Sequence, residues 1–193
     1  MKNLLLAVLV FALLAVASTG LFAQQGKISF GIGADVALPM TSGFSDTQSL
    51  GIGGTAKGYY IFNDMVTFNA TAGYITFSGK DYTPAGSPAG TSIKAGSWSQ
   101  IPVMVGARYY FSPASSSFRP YGAFEMGLIF SSYSYPDVKV NNVVVFPGGS
   151  VSGSDFSYQP QIGFEASKFD VAARLIGVSG ASAVAFRVGY IFN

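Results

Sequence analysis

From Ile28 onward, apolar side chains return at every second position. In the first run Ile28, Phe30, Ile32, Ala34, Val36 and Leu38 share one face, and Ser29, Gly31, Gly33, Asp35 and Ala37 share the other. A period of two belongs to an extended strand with two unlike faces. Seven further runs repeat it. The spacing predicts eight strands, at about 28–38, 50–62, 65–77, 98–111, 119–131, 155–167, 169–178 and 182–192. No run carries a convincing i, i+3, i+4 pattern. Each strand is long enough to cross a bilayer at a tilt, which takes ~9–11 residues.

The connections alternate in length. Phe62–Met65, Ser112–Phe118 and the joint near Ser167–Lys168 are short, while 39–49, 79–97 and 132–154 are long and rich in Gly, Ser, Pro and Thr. Short turns at one end and long loops at the other are the asymmetry of bacterial outer-membrane barrels. An even strand number then puts both termini at the periplasmic end. The joint near Ser179–Ala181 breaks the alternation, since it is short where a long loop is due. Within the third loop, Val138–Val140 and Val143–Phe146 flank Asn141-Asn142, a pair that tolerates a primed turn. This predicts a small hairpin above the membrane. Entry of its strands into the wall would raise the count to ten.

Composition decides which face looks outward. Of the 193 residues only 10% are charged and 49% are hydrophobic, against about 25% charged in an ordinary soluble domain. A soluble ligand-carrying barrel would turn its apolar face inward and clothe the outside with the polar face. Here that polar face is mostly Gly, Ala, Ser, Thr, Asn and Gln, which suits a narrow lumen filled by side chains. The apolar face offers a band to lipid: Val66, Phe68, Ala70, Ala72 and Tyr74; Ile101, Val103, Val105 and Ala107; Val184, Phe186 and Val188. In lipid, closed barrels are the alternative to helices that satisfies every backbone group. The expected fold is therefore an all-β, eight-stranded antiparallel up-and-down transmembrane barrel. Lys2, the apolar run Leu4–Val16 and the small residues after it read as a secretory signal peptide. Cleavage after Ala23 would leave 24–193 as the barrel domain. A retained anchor fits less well, because the apolar core falls short of the ~20 residues a span needs.

Aromatic residues gather where the apolar band ends near the short turns: Tyr60, Phe62, Tyr109, Phe111, Phe164, Phe169, Tyr190 and Phe192. Such rings suit the membrane interface. The last strand, Val184-x-Phe186-x-Val188-x-Tyr190-x-Phe192, resembles the terminal strand of outer-membrane barrels, with Asn193 following where Phe is the commonest last residue. That resemblance implies that Phe186, Val188, Tyr190 and Phe192 are read by the outer-membrane assembly machinery. The chain as a whole resembles the small-barrel family of OmpA-like and OmpX-like proteins, a likeness of pattern that implies fold and location.

Seven mid-strand charges fall on the lumen face: Asp35, Lys57, Arg108, Glu125, Glu165, Arg174 and Arg187. Four cations and three anions, most of them a few residues from the short turns, suggest one zone of interlocked salt bridges. Pairing is favoured because a lone buried ion costs several kcal/mol, roughly, of desolvation, and Arg–carboxylate contacts are the strongest form. The network either locks the barrel or acts as a gate. Asp64, Arg119, Lys168 and Asp170 lie at turns and read as solvated strand ends. Pro102 and Pro160 fall inside strands and predict a bulge or weakened pairing at each.

Little chemistry remains. Without histidine or cysteine, most metal sites, Ser–His hydrolases, Cys nucleophiles and disulfides are excluded. Gly31-Ile32-Gly33 lacks the third glycine and the helix of a nucleotide fingerprint. Glu125 and Glu165 could in principle do acid–base work, but arginines lie beside them. The near balance of 11 basic and 9 acidic residues, with no basic stripe, argues against nucleic acid. The expectation is a structural, non-enzymatic barrel that presents loops and takes no cofactor. Its expected partners are membrane lipids, a lipopolysaccharide-type outer leaflet and the assembly machinery, with the barrel itself a monomer. The rival readings are a small pore or carrier, for which hydrophobic solutes are candidates, and loop-mediated attachment through Tyr82, Trp98, Tyr133 or Tyr135. For Trp98, rim anchoring is preferred over attachment. With the chain stopping at Asn193, no cell-wall tether is expected.

Overall fold

The alternation closes on itself. The computed structural model describes residues 27–82, 93–140, 143–178 and 180–192; the signal peptide expected over 1–23 lies outside them. Eight strands form the wall: β1 Lys27–Pro39, β2 Gln48–Ile61, β3 Val66–Gly79, β4 Ser97–Tyr110, β5 Phe118–Tyr135, β6 Gly149–Ala166, β7 Phe169–Val178 and β8 Ala181–Phe192. Each pairs with the next, and β8 returns to β1, giving a closed up-and-down barrel. The closing seam runs antiparallel from Phe30 opposite Phe192 to Pro39 opposite Ala183. Closure leaves no unpaired sheet edge in lipid.

Orientation follows the composition. Val105 is 61% exposed and Ile162 71%, while Asp35 and Glu125 are fully buried. The apolar face looks outward and the ions look in, the opposite of a water-soluble carrier.

Most strand ends lie within a few residues of the sequence reading, with two exceptions. β5 continues to Tyr135 and β6 begins at Gly149, because the two strands keep pairing with each other through Ser131–Ser134 and Ser150–Ser154. These serines carry no apolar alternation, so the ladder there is invisible to a hydropathy pattern. Val138–Val140 and Val143–Phe146 pair in a separate two-stranded sheet, and the wall stays at eight. A second small pair joins Asp81–Tyr82 to Ile93–Lys94, which the sequence reading did not anticipate. Residues 141–142 lie outside the described residues.

Pro102 and Pro160 weaken pairing without a bulge. The β3–β4 ladder stops at Ala72–Val103 and resumes in the same register at Ile75–Gln100. The β6–β7 ladder likewise skips from Tyr158–Gly177 to Gln161–Arg174. On the opposite sides Pro102 stays paired with Ile129 and Pro160 with Phe124. Each proline thus turns its missing N–H toward one neighbour only. The register shift in the wall falls instead between Gln48 and Gly51. That shift turns the Gln48 side chain inward, where it is buried.

The short turns have local causes. The Asn63 carboxamide oxygen accepts the Met65 and Val66 N–H groups at 2.9 and 2.8 Å, an Asx-type turn. At the other end the β7–β8 joint is tight, with Gly180 at φ 75°, a region glycine enters without strain.

Candidate functional site

The lumen is filled in two tiers of different chemistry. The tier nearer the short turns is ionic. Arg174 donates to Asp35 at 2.7 Å, and Thr55 donates to the second oxygen of Asp35 at 2.8 Å. Arg187 Nε donates to Thr55 Oγ1 at 2.9 Å, and its Nη1 donates to Asp170 at 2.6 Å. Arg108 reaches Asp170 at 3.2 Å and also pairs with Glu165. These contacts form one chain from Arg174 to Glu165. Beside it Lys57 spans the lumen to Glu125 at 2.6 Å, and Asn69 donates to the same oxygen at 2.6 Å. All seven charges named from the sequence point inward, and the ion pairs among them, Lys57–Glu125, Arg108–Glu165 and Arg174–Asp35, each skip at least one strand instead of joining neighbours.

Asp170 corrects the reading. Its place two residues past a turn predicts a solvated strand end. In the fold it is 0% exposed and is the hub, accepting from Arg108, Arg187, Tyr121 at 2.6 Å and Tyr59 at 3.3 Å. Its parity with Arg174 was the available signal. With Asp170 the lumen holds four carboxylates against Lys57, Arg108, Arg174 and Arg187. The balance matters because buried ions are tolerated only when paired and hydrogen-bonded. Arg119 is also tied rather than free. It stacks on Tyr110 at 3.7 Å, lies 3.8 Å from Glu165 and donates to the Asp64 carbonyl at 2.6 Å. Asp64 and Lys168 are exposed.

Three tyrosines complete this tier. The Arg108 guanidinium lies 3.8 Å from the Tyr121 ring centre and 5.0 Å from that of Tyr59. Tyr110 donates to Glu165 at 2.5 Å. The sequence reading missed Tyr59 and Tyr110 because each stands in a doublet whose other member, Tyr60 or Tyr109, faces outward. Gly33 makes room for this arrangement: a Cβ on it would come within 2.7 Å of the Arg187 guanidinium carbon and displace that head group.

The tier nearer the long loops is apolar, contrary to a lumen expected to hold glycine, small polar groups and ions. Ala37, Ile75, Phe77, Met104, Ile129, Ile176, Ala183 and Ala185 form one buried cluster, capped by Phe44, Trp98 and Val178. Trp98 sits in the mouth of the barrel, not at a lipid rim, because its parity on β4 is that of Gln100 and Arg108. Tyr133 packs on it at 5.8 Å. Tyr135 is exposed, and the Tyr82 side chain lies outside the described residues.

Outside, Tyr60, Phe62, Tyr109, Phe111 and Phe169 are exposed near the short turns, with Phe164 packed on Phe118 at 5.0 Å. Phe186, Val188 and Phe192 face outward along β8, and Tyr190 packs on Phe192 at 5.0 Å. Among the described residues no group of three or more Asp or Glu is placed to hold a metal ion.

Single removals from the ionic tier test its weight. Glu125→Ala leaves the Lys57 ammonium with only Gln161 at 3.3 Å, and Arg174→Ala leaves Asp35 with Thr55 alone. Each is expected to cost about 3–5 kcal/mol, the range for orphaning one partner of a buried pair. Thermal melts in detergent micelles should fall clearly below the parent. Melting at the parent's temperature in both variants would contradict a stabilising network.

Comparison with known proteins agrees with this architecture. Residues 9–174 match the model of the outer membrane protein beta-barrel domain. Neisserial surface protein A is similar in structure, with a TM-score of 0.57 and 14% identity over 87% of this chain and 98% of that one. Ail, the attachment invasion locus protein of Yersinia pestis, gives a TM-score of 0.51 and 15% identity over 88% of this chain and 100% of that one. A comparison with curated protein sequences finds no match. With a closed eight-stranded wall, an apolar exterior and a family match over most of its length, the chain belongs to the outer membrane protein beta-barrel domain family of the bacterial outer membrane.

Proposed function

We propose that this chain is a structural, non-enzymatic outer-membrane barrel that presents its long loops outside the cell and does not conduct. The carrying observation is the double filling of the lumen. The paired ionic tier fills the lumen with side chains tied to one another, and the apolar tier above it offers permeating ions no hydration.

Several assignments support this reading together. The short turns face the periplasm and the long loops the exterior. The outward aromatics near the turns rest at the inner interface, with membrane lipids and a lipopolysaccharide-type leaflet around the wall. The outward row Phe186, Val188, Tyr190 and Phe192 on β8 serves recognition by the assembly machinery. Every charged lumen side chain has an opposite partner, which leaves none free for acid–base catalysis, and closure leaves no edge for oligomer pairing within the wall.

Planar-bilayer recording tests the closed state. Wild-type protein should show no stable stepwise openings. Openings that Arg108→Ala alters would establish a pore and overturn the proposal. Heat-modifiable gel mobility of the inserted sample should confirm that folded barrel was measured.

A further inference from the structure

The mouth at the long-loop end has a composition that sealing alone does not require. Four aromatic rings from four separate elements meet there. Phe44 is carried by α1, a single turn over Phe44–Thr47, and Phe77, Trp98 and Tyr133 come from β3, β4 and β5. The Phe44 ring is 5.1 Å from Phe77 and 5.7 Å from Trp98, both edge to face, and Trp98 is 5.8 Å from Tyr133. Edge-to-face contact is the favoured geometry for an inserted aromatic ring.

Two polar atoms at this mouth are buried without a partner among the described residues. One is Gln48 Oε1, on a residue 1% exposed, and the other is Trp98 Nε1. The Gln48 amide is oriented by its own Nε2, which donates to the Gly96 carbonyl at 3.1 Å. Gly96 in turn donates its N–H to the Tyr133 hydroxyl at 2.9 Å. An orphaned buried acceptor and an orphaned buried donor beside one aromatic cluster call for an explanation. A phenylalanine ring answers neither.

The hydrogen bonds of α1 hold its backbone, and the Phe44 ring is held by packing alone. Ser45 N–H donates to the Thr41 carbonyl at 2.9 Å. The Lys80 ammonium and N–H donate to the Ser45 and Thr47 carbonyls, each at 2.8 Å. Phe44 is half-buried, while the floor beneath it, Ile75, Met104, Ile129 and Ile176, is fully buried.

We propose that this mouth is a binding site for a small aromatic molecule bearing a hydroxyl group, and that Phe44 is its built-in occupant. The ligand ring takes the place of the Phe44 ring against Phe77 and Trp98. A ligand hydroxyl has both capacities these atoms lack: it can accept from the indole N–H, which only donates, and it can donate to an amide oxygen such as that of Gln48. The apolar floor makes the site a dead end, so the molecule is held at the surface and not passed through the wall.

Trp98 is the chain's only tryptophan, so its emission reports the site directly. The probes are p-cresol and toluene, which differ by the hydroxyl, titrated into wild type, Phe44→Ala and Gln48→Leu in lipid nanodiscs. Each variant is first checked for heat-modifiable mobility. Wild type should respond to p-cresol. Phe44→Ala should bind it at least roughly tenfold more tightly, since self-occupancy lowers apparent affinity by the unoccupied fraction. Phe44→Leu, a smaller change that keeps an apolar cap, should fall between. Both wild type and Phe44→Ala should prefer p-cresol over toluene by about tenfold, the weight of satisfying buried polar groups, and Gln48→Leu should lose most of that preference. Equal binding of the two probes to Phe44→Ala would mean only an apolar hole had been made. A wild type that ignores p-cresol while Phe44→Ala binds it would make Phe44 a fixed part of the core. Either result overturns the proposal, as does failure of both Phe44 variants to bind.

Discussion

Replacing Asp170 with alanine should destabilise the barrel more than removing any other single lumen carboxylate. Its two oxygens accept from two guanidinium groups and two phenols. After the change Arg108 keeps Glu165, but Arg187 keeps only the neutral Thr55 hydroxyl. One buried cation is then uncompensated and two buried phenols lose their acceptor. The first effect alone is worth about 3–5 kcal/mol, and each phenol adds about 1–3 kcal/mol of unmet desolvation. Urea unfolding from lipid vesicles should register the loss, with Asp64→Ala at an exposed turn as the comparison. If the two variants unfold together, Asp170 is not the hub that its contacts describe. Asp170→Asn, which keeps the shape and one acceptor, should recover part of the difference.

Val105→Arg is expected to produce the second large effect, for the opposite reason. Val105 stands outward in the middle of β4, 61% exposed, and its ladder partners Ala70 and Met126 are also outward. An arginine there must be dragged into hydrocarbon or bend the bilayer to reach water. The cost near the midplane of a barrel wall is about 2–4 kcal/mol, falling to ~0–1 near the interfaces. Ser152→Arg, on the exposed upper part of β6, should cost little by the same measurement. Equal costs at the two positions would refute the assignment of the outer face to lipid.

Both predictions rest on the inside–outside division, and that division was legible in the residues. Ile32, Val105 and Phe186 face outward, and Asp35, Arg108 and Arg187 face inward, as the two-residue period and the scarcity of charge require. Strand pleating makes this so: the chain's local geometry sends neighbouring side chains to opposite faces wherever the strand ends up. Strand number and the alternation of short and long connections follow from the same local information. Where the alternation stops, as in Ser131–Ser134, the strand continues unannounced.

The identity of the partners was not legible. Lys57 and Glu125 are 68 positions apart, and they meet only because the closing register of β1 on β8 and the strand tilt bring β2 across from β5. Asp170 looked like a solvated end because distance from a turn measures height poorly in a tilted wall. The inward tyrosines of the Tyr59-Tyr60 and Tyr109-Tyr110 doublets were hidden by their outward neighbours.

The sequence by itself determined a chain of eight two-faced strands, which face meets lipid, and seven of the charges that enter the lumen, because side-chain alternation and desolvation act locally and need no fold to be computed. Only the tertiary structure decided which ion meets which, that the half of the lumen nearer the loops is apolar, and that Phe44 reaches Trp98. Those contacts join distant segments, and their geometry is set by barrel closure.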